Sequence, residues 1–126
     1  MKNLIISLVL FVVLTGIIIC HSVVMLKFGE KTEGLTRSIQ NSAENGEWEK
    51  TRDSLKEFER VWGKMRKIAV LTLRTNVIDE IDIALEQCKA HVKNEDKPDF
   101  LNECIRLKQC IHNIIHQECL HFSEIL

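Results

Sequence analysis

One proline, five glycines and no tyrosine among 126 residues leave little material for tight turns, which excludes a β-sandwich and a disordered tail. Charge of one sign is missing too. Seventeen Lys and Arg stand against eighteen Asp and Glu, a net charge of −1, so no broad field draws the chain to nucleic acid. There is no glycine-rich phosphate loop, no Ser-x-x-Lys or Gly-x-Ser-x-Gly element in a fitting context, and no Cys-x-x-Cys. Neither an enzyme, a cofactor nor a small-molecule substrate is therefore expected. The sequence is instead 45% apolar and 28% charged, enough for at most one small domain. The expected fold class is all-α.

The apolar residues are concentrated at the start. From Asn3 to Leu26 no residue carries a formal charge apart from a proton on His21, and Leu4 to Cys20 is almost wholly Leu, Ile, Val and Phe. As a helix, Leu4 to Leu26 is about 34 Å long, enough to cross a hydrocarbon core of about 30 Å. A cleaved signal peptide would show an A-x-A-like site, and the first alanine is Ala43. Lipid modification of Cys20 would need a small residue before it, where Ile17, Ile18 and Ile19 stand. The segment therefore reads as an uncleaved anchor. Lys2 and the α-amine flank it on one side, and Lys27, Lys31 and Arg37 on the other, so the charge rule does not fix the orientation. An anchor at the extreme N-terminus can translocate the chain behind it, which favours a single-pass protein of the cell membrane with its C-terminal part outside the cytoplasm.

The pattern divides the chain into three units: a transmembrane anchor over 1–27, a juxtamembrane helix and turn over 28–46, and a helical bundle over 47–126. Asn45-Gly46 stops the first helix, glycine suiting the left-handed position that closes one, and Glu47 favours the start of the next. Trp48, Leu55, Phe58, Trp62, Met65, Ala69 and Leu73 then recur at steps of three, four and seven, one stripe of a helix. Like-charged neighbours such as Glu49 and Asp53 offset the opposed ones, so this helix must be held by burying its stripe. Asn76 and Asp79 resemble a cap for a third helix running to about Asn94. The run Asn94 to Pro98 forms a turn, and a fourth helix reaches about Phe122. Reflecting the chain about Asp96 pairs Val92 with Phe100, Cys88 with Cys104, Leu85 with Leu107, Ile81 with Ile111 and Ile78 with Ile114. Five apolar residues meet five others, as in two antiparallel helices packed along one seam. With the second helix as a further wall, the expected architecture is a transmembrane helix followed by a small antiparallel helical bundle.

The anchor, the Gly46-Glu47-Trp48 turn, Trp62, the Asp79-Glu80-Ile81-Asp82 segment and the closing Ser123-Glu124-Ile125-Leu126 resemble the small membrane-anchored bacterial proteins of domain-of-unknown-function family 4363. The resemblance covers nearly the whole chain. It implies a Gram-positive bacterial source and a single anchor, and it carries no activity. A histidine in the family takes the place of Asn76 and an asparagine that of Glu124, so no polar role is carried over.

Five cysteines and five histidines are many for this length, and eight of the ten lie between Cys88 and His121. His112, His116 and Cys119, at i, i+4 and i+7, fall within about 60° on one helix face, and imidazole with thiolate suits zinc or a softer metal. The competing reading is an amphipathic flank packed on another helix. Cys88 and Cys104 face each other in the derived hairpin, as a disulfide or as two core thiols. Cys110 and Cys119 point to opposite sides of one helix. Cys88 with His91 at i, i+3 is the nearest approach to a nucleophile and base, and a small bundle offers it no oxyanion donors. Lys64, Arg66, Lys67 and Arg74, interleaved with Met65, Ile68 and Ala69, are either a contact to anionic lipid or a solvated face. The functional reading is a non-enzymatic protein-interaction or structural module on a membrane anchor, its partner a membrane protein or its own copy. The alternative is a metal-binding or thiol redox-sensing domain using the C-terminal Cys/His cluster.

Overall fold

The computed structural model describes residues 1–71 and 75–125, with side chains of the last helix described as far as Gln117. It contains four helices: α1 Lys2–Glu44, α2 Trp48–Ala69, α3 Thr75–Lys93 and α4 Lys97–Ile125. Chain neighbours pack on each other and α1 packs on α4, which closes a ring running up, down, up and down. This is an antiparallel four-helix bundle, with α1 projecting far beyond the others.

The α1/α2 and α3/α4 turns use the same device. Gly46, at φ 74°, holds the left-handed position after α1. Its N–H donates to the Ala43 carbonyl at 3.1 Å, and the Glu47 N–H donates to that of Ser42 at 2.9 Å. Those paired bonds satisfy carbonyls that the helix end would leave bare. After α3 the left-handed residue is Glu95, φ 52°, with Glu95 N–H on Val92 and Asp96 N–H on His91. Glu95 has a β-carbon that disfavours this conformation, and Arg52 of α2 holds it by bonding both its carboxylate at 3.1 Å and the Val92 carbonyl at 3.4 Å. Lys97 Nζ caps the Glu44 carbonyl at 2.7 Å, tying the start of α4 to the end of α1.

The derived α3/α4 hairpin is present, with Cys88 meeting Cys104 across it. All ten members of the five reflected pairs are buried, and α3 packs along α4. On α2 the buried stripe is Leu55, Phe58, Val61, Trp62 and Ala69, with Trp48 and Met65 half-buried beside it. Leu73 lies outside the described residues. Trp62 is the tie between three helices. Its ring lies against Phe28 of α1, centroids 5.8 Å apart, while its Nε1–H donates to Asp82 Oδ1 of α3 at 2.7 Å. Arg66 Nε donates to the other Asp82 oxygen at 3.0 Å. Trp62→Phe removes part of a buried ring as well as the bond to a charged acceptor, so it should cost about 2 to 4 kcal/mol in urea unfolding.

The bundle also takes in the second half of α1, a stretch the sequence pattern sets apart from 47–126. Ser22, Met25, Gly29, Thr32, Thr36, Ile39 and Ala43 are all buried, and their alternating steps of three and four make one heptad seam. Most are small, and they let the helices approach closely. A β-carbon on Gly29 would overlap Ile115 Cγ1 of α4. The buried hydroxyls are satisfied locally or by one another. Thr32 donates to the Phe28 carbonyl at 2.8 Å, Thr36 to Glu33 at 2.8 Å, and Ser42 meets Thr51 of α2 at 2.8 Å.

The first half of α1 is the opposite case. From Leu4 to Leu14 the large apolar side chains are 52% to 75% exposed. One helix near the N-terminus is thus long and apolar enough to cross a membrane. It continues without a break into the buried seam that starts at Ser22.

Candidate functional site

The residues singled out from sequence are distributed over four places. His112 and His116 are both exposed on α4, and the side chain of Cys119 lies outside the described residues. His112 lines an open cavity of about 580 Å³ between α1 and α4, with Glu33, Gln40 and Lys108.

Cys88 and Cys104 are brought together in the α3/α4 seam, both buried and both free thiols. The hydrogen bond with Cys104, and then burial, push the Cys88 thiol far above the ordinary thiol range. A thiol so held has almost no thiolate and is a poor nucleophile. Cys110 is buried nearby and its thiol is also raised, by burial first and then by the charge of Glu80, which its sulfur meets at 3.8 Å.

A grouping that spacing did not reveal lies at the α3/α4 turn. One ligand atom each from His91, Asp96 and Asp99 lies within 4.8 Å of the others. The left-handed turn at Glu95 makes that approach, so only the folded backbone reveals it. Asp96 and Asp99 also stand at the start of α4, where carboxylates offset the bare N–H groups: Asp99 N–H donates to Asp96 Oδ1 at 3.5 Å. Capping accounts for both acids without an ion.

The fourth place is a groove between α1 and α2, a cavity of about 300 Å³. Val24 and Phe28 of α1 and Val61 and Met65 of α2 supply its apolar walls. Lys27, Lys31, Arg60 and Lys64 rim it. The helix period brings them there: Lys27 and Lys31 are i, i+4 on α1, as Arg60 and Lys64 are on α2. The carboxylate facing this cluster is Glu57, which accepts from Arg60 Nε at 3.0 Å. That bond, with the charges of Arg60, Lys31 and Lys64 behind it, holds the Glu57 carboxyl below the usual range against a smaller effect of desolvation. Among the described residues Lys27, Lys31 and Lys64 form no ion pair. Of the basic patch expected from sequence, Lys64 belongs to this groove, Arg66 is engaged by Asp82, and Arg74 lies outside the described residues. The contribution of α1 escapes the sequence pattern because that pattern begins the bundle only at residue 47.

The antiparallel register sets the level of the groove. Phe28 lies against Trp62 and Ser42 against Thr51, so the end of α2 at Val70 and Leu71, 51% and 78% exposed, stands level with about position 20 of α1. The groove is therefore one or two helical turns from the long exposed apolar run.

Comparison with known proteins gives one match of consequence: the sequence model of a domain of unknown function (DUF4363) fits residues 21–125. No curated protein and no solved structure matches the chain.

Proposed function

We propose that this chain, which belongs to the DUF4363 family, is a single-pass membrane protein whose four-helix bundle serves as a non-enzymatic interaction or structural module beside the bilayer. One observation carries the reading: α1 is a single helix whose first half exposes Leu, Ile, Val and Phe and whose second half is a wall of the bundle. An exposed apolar surface of that extent needs lipid around it. Because no linker separates the two halves, a load on the bundle reaches the membrane-spanning part directly. That coupling suits a module that holds a partner at a fixed height, the partner being another membrane protein or a second copy. The non-enzymatic part is supported by the chemistry of Cys88 and Cys110, whose thiols are buried and hard to ionise.

In this reading Lys2 stays in the cytoplasm and the bundle lies on the outer face of the cell membrane. Cross-linking in native membranes should recover an adduct larger than the monomer. Recovery of monomer alone at every expression level, or release of the full chain into the aqueous fraction without detergent, contradicts the proposal. For orientation, Gly34→Cys places a thiol on an exposed surface with open space around it. It should react with a membrane-impermeant maleimide in intact cells, and protection until the cells are lysed would place the bundle inside.

A further inference from the structure

Lys27, Lys31, Arg60 and Lys64 converge on the α1/α2 groove against a single facing carboxylate, Glu57, which Arg60 already holds, and like charges held together on two rigid helices repel. A phosphodiester anion would relieve that repulsion. The groove also has an apolar wall, and it lies where α1 leaves its exposed apolar run. Starting from position 4, a helix of about 26 Å reaches position 20, close to the thickness of a hydrocarbon core. Lys27 and Lys31 follow about 10 and 16 Å beyond position 20, from where their long side chains reach back toward the headgroup layer, and α2 returns Arg60 and Lys64 to the same level.

We propose that this groove is a binding site for the headgroup of an anionic phospholipid. The phosphate sits on the rim of Lys27, Lys31, Arg60 and Lys64, and the first carbons of an acyl chain lie on Val61 and Met65. Charge complementarity selects the headgroup, and continuity with the apolar run of α1 selects a lipid over a soluble anion. Val70 and Leu71, exposed at the membrane-facing end of α2, sit deeper in the same layer. Arg66 does not contribute, being held by Asp82. The site rests on the membrane-anchored reading above. It adds a chemical identity for the lipid and a fixed rotation of the bundle about α1, with the α1/α2 face turned to the bilayer surface.

The test uses the full-length protein in detergent micelles seeded either with phosphatidylglycerol or with phosphatidylcholine, with native mass spectrometry counting retained lipids. One phosphatidylglycerol should be retained in clear excess over phosphatidylcholine. Each basic charge near an anionic lipid is worth about five-fold in affinity, so Lys27→Gln with Lys64→Gln should lower that retention more than ten-fold. Lys27→Arg with Lys64→Arg should keep it, as should Lys50→Gln with Lys93→Gln at the far end of the bundle. Flotation with neutral liposomes runs in parallel. A chain that floats but retains both lipids equally, or loses selectivity in the far-end variant as well, overturns the headgroup site and leaves the anchor standing. A chain that does not float overturns both. Retention that survives Lys27→Gln with Lys64→Gln while a cross-linked protein adduct disappears reassigns the groove to an acidic protein segment and overturns the lipid site.

Discussion

Gly29→Leu should lower the unfolding free energy of the bundle by about 3 kcal/mol, at the upper end for overpacking a core. The reason is geometric. Gly29 is buried where α1 meets α4, and even a β-carbon there would overlap Ile115 Cγ1 and fall 2.9 Å from its Cδ1. Isoleucine is β-branched and stiff in a helix, so Ile115 cannot swing aside freely and the helices must part. Gly29→Ala sets the same clash against a gain in helix propensity of about 1 kcal/mol. Its interaction with Ile115→Ala should be favourable by at least about 1 kcal/mol in a double-mutant cycle, because the second change removes both clashing atoms. Gly34 and Gly63 also lie inside helices but have nothing within 4 Å of a built β-carbon. Gly34→Ala and Gly63→Ala should each raise stability by roughly 0.5 to 1 kcal/mol. Urea unfolding of the full chain in detergent, followed by Trp fluorescence, measures the set. Equal effects at positions 29 and 34 would mean that α1 does not approach α4 as closely as described.

The same contrast between large and small buried residues decides which helices are legible in the sequence. The α3/α4 hairpin is legible because both faces bury large apolar residues, from Val92 opposite Phe100 to Ile78 opposite Ile114, and a reflection aligns them. The α2 stripe is legible for the same reason, since Phe58 and Trp62 announce a buried face. The wall made by α1 is not. Its buried seam is largely Ser22, Gly29, Thr32 and Thr36, which count as polar or neutral in any hydropathy reading, and the apolar positions that stand out there, Leu35 and Ile39, are only its edge and one member. Such residues are buried cheaply because their hydroxyls bond to carbonyls of the preceding turn and their small size permits close contact. The signal that reveals the seam is the alternation of three and four among small residues from Ser22 to Ala43.

The candidate sites divide along the same line. The approach of Cys88 to Cys104 is a consequence of the hairpin and is therefore derivable. The groove needs two helices in register, and hydropathy alone assigns its α1 half, Lys27 and Lys31, to units outside the bundle. The His91, Asp96 and Asp99 grouping depends on the left-handed Glu95, which no spacing rule anticipates in a residue other than glycine or asparagine.

The second large effect concerns the boundary of the folded unit. A chain of residues 47–126 lacks α1 and so uncovers the faces of α2 and α4 that α1 buries, among them Trp62, which Phe28 covers, and Ile115, which Gly29 meets. Fully burying one such side chain contributes about 1.5 to 3 kcal/mol, so exposing several removes an amount comparable with the whole stability of a small domain, about 5 to 15 kcal/mol. A chain of residues 21–126 keeps the seam from Ser22 to Ala43 and loses only the exposed apolar run. Thermal unfolding of these two fragments, followed by circular dichroism and by Trp fluorescence, is the most direct test of the claim that one helix is both membrane rod and bundle wall. The account predicts a single cooperative transition for 21–126 and a broad, non-cooperative loss of helix for 47–126. A transition of equal midpoint and sharpness in both fragments would contradict it.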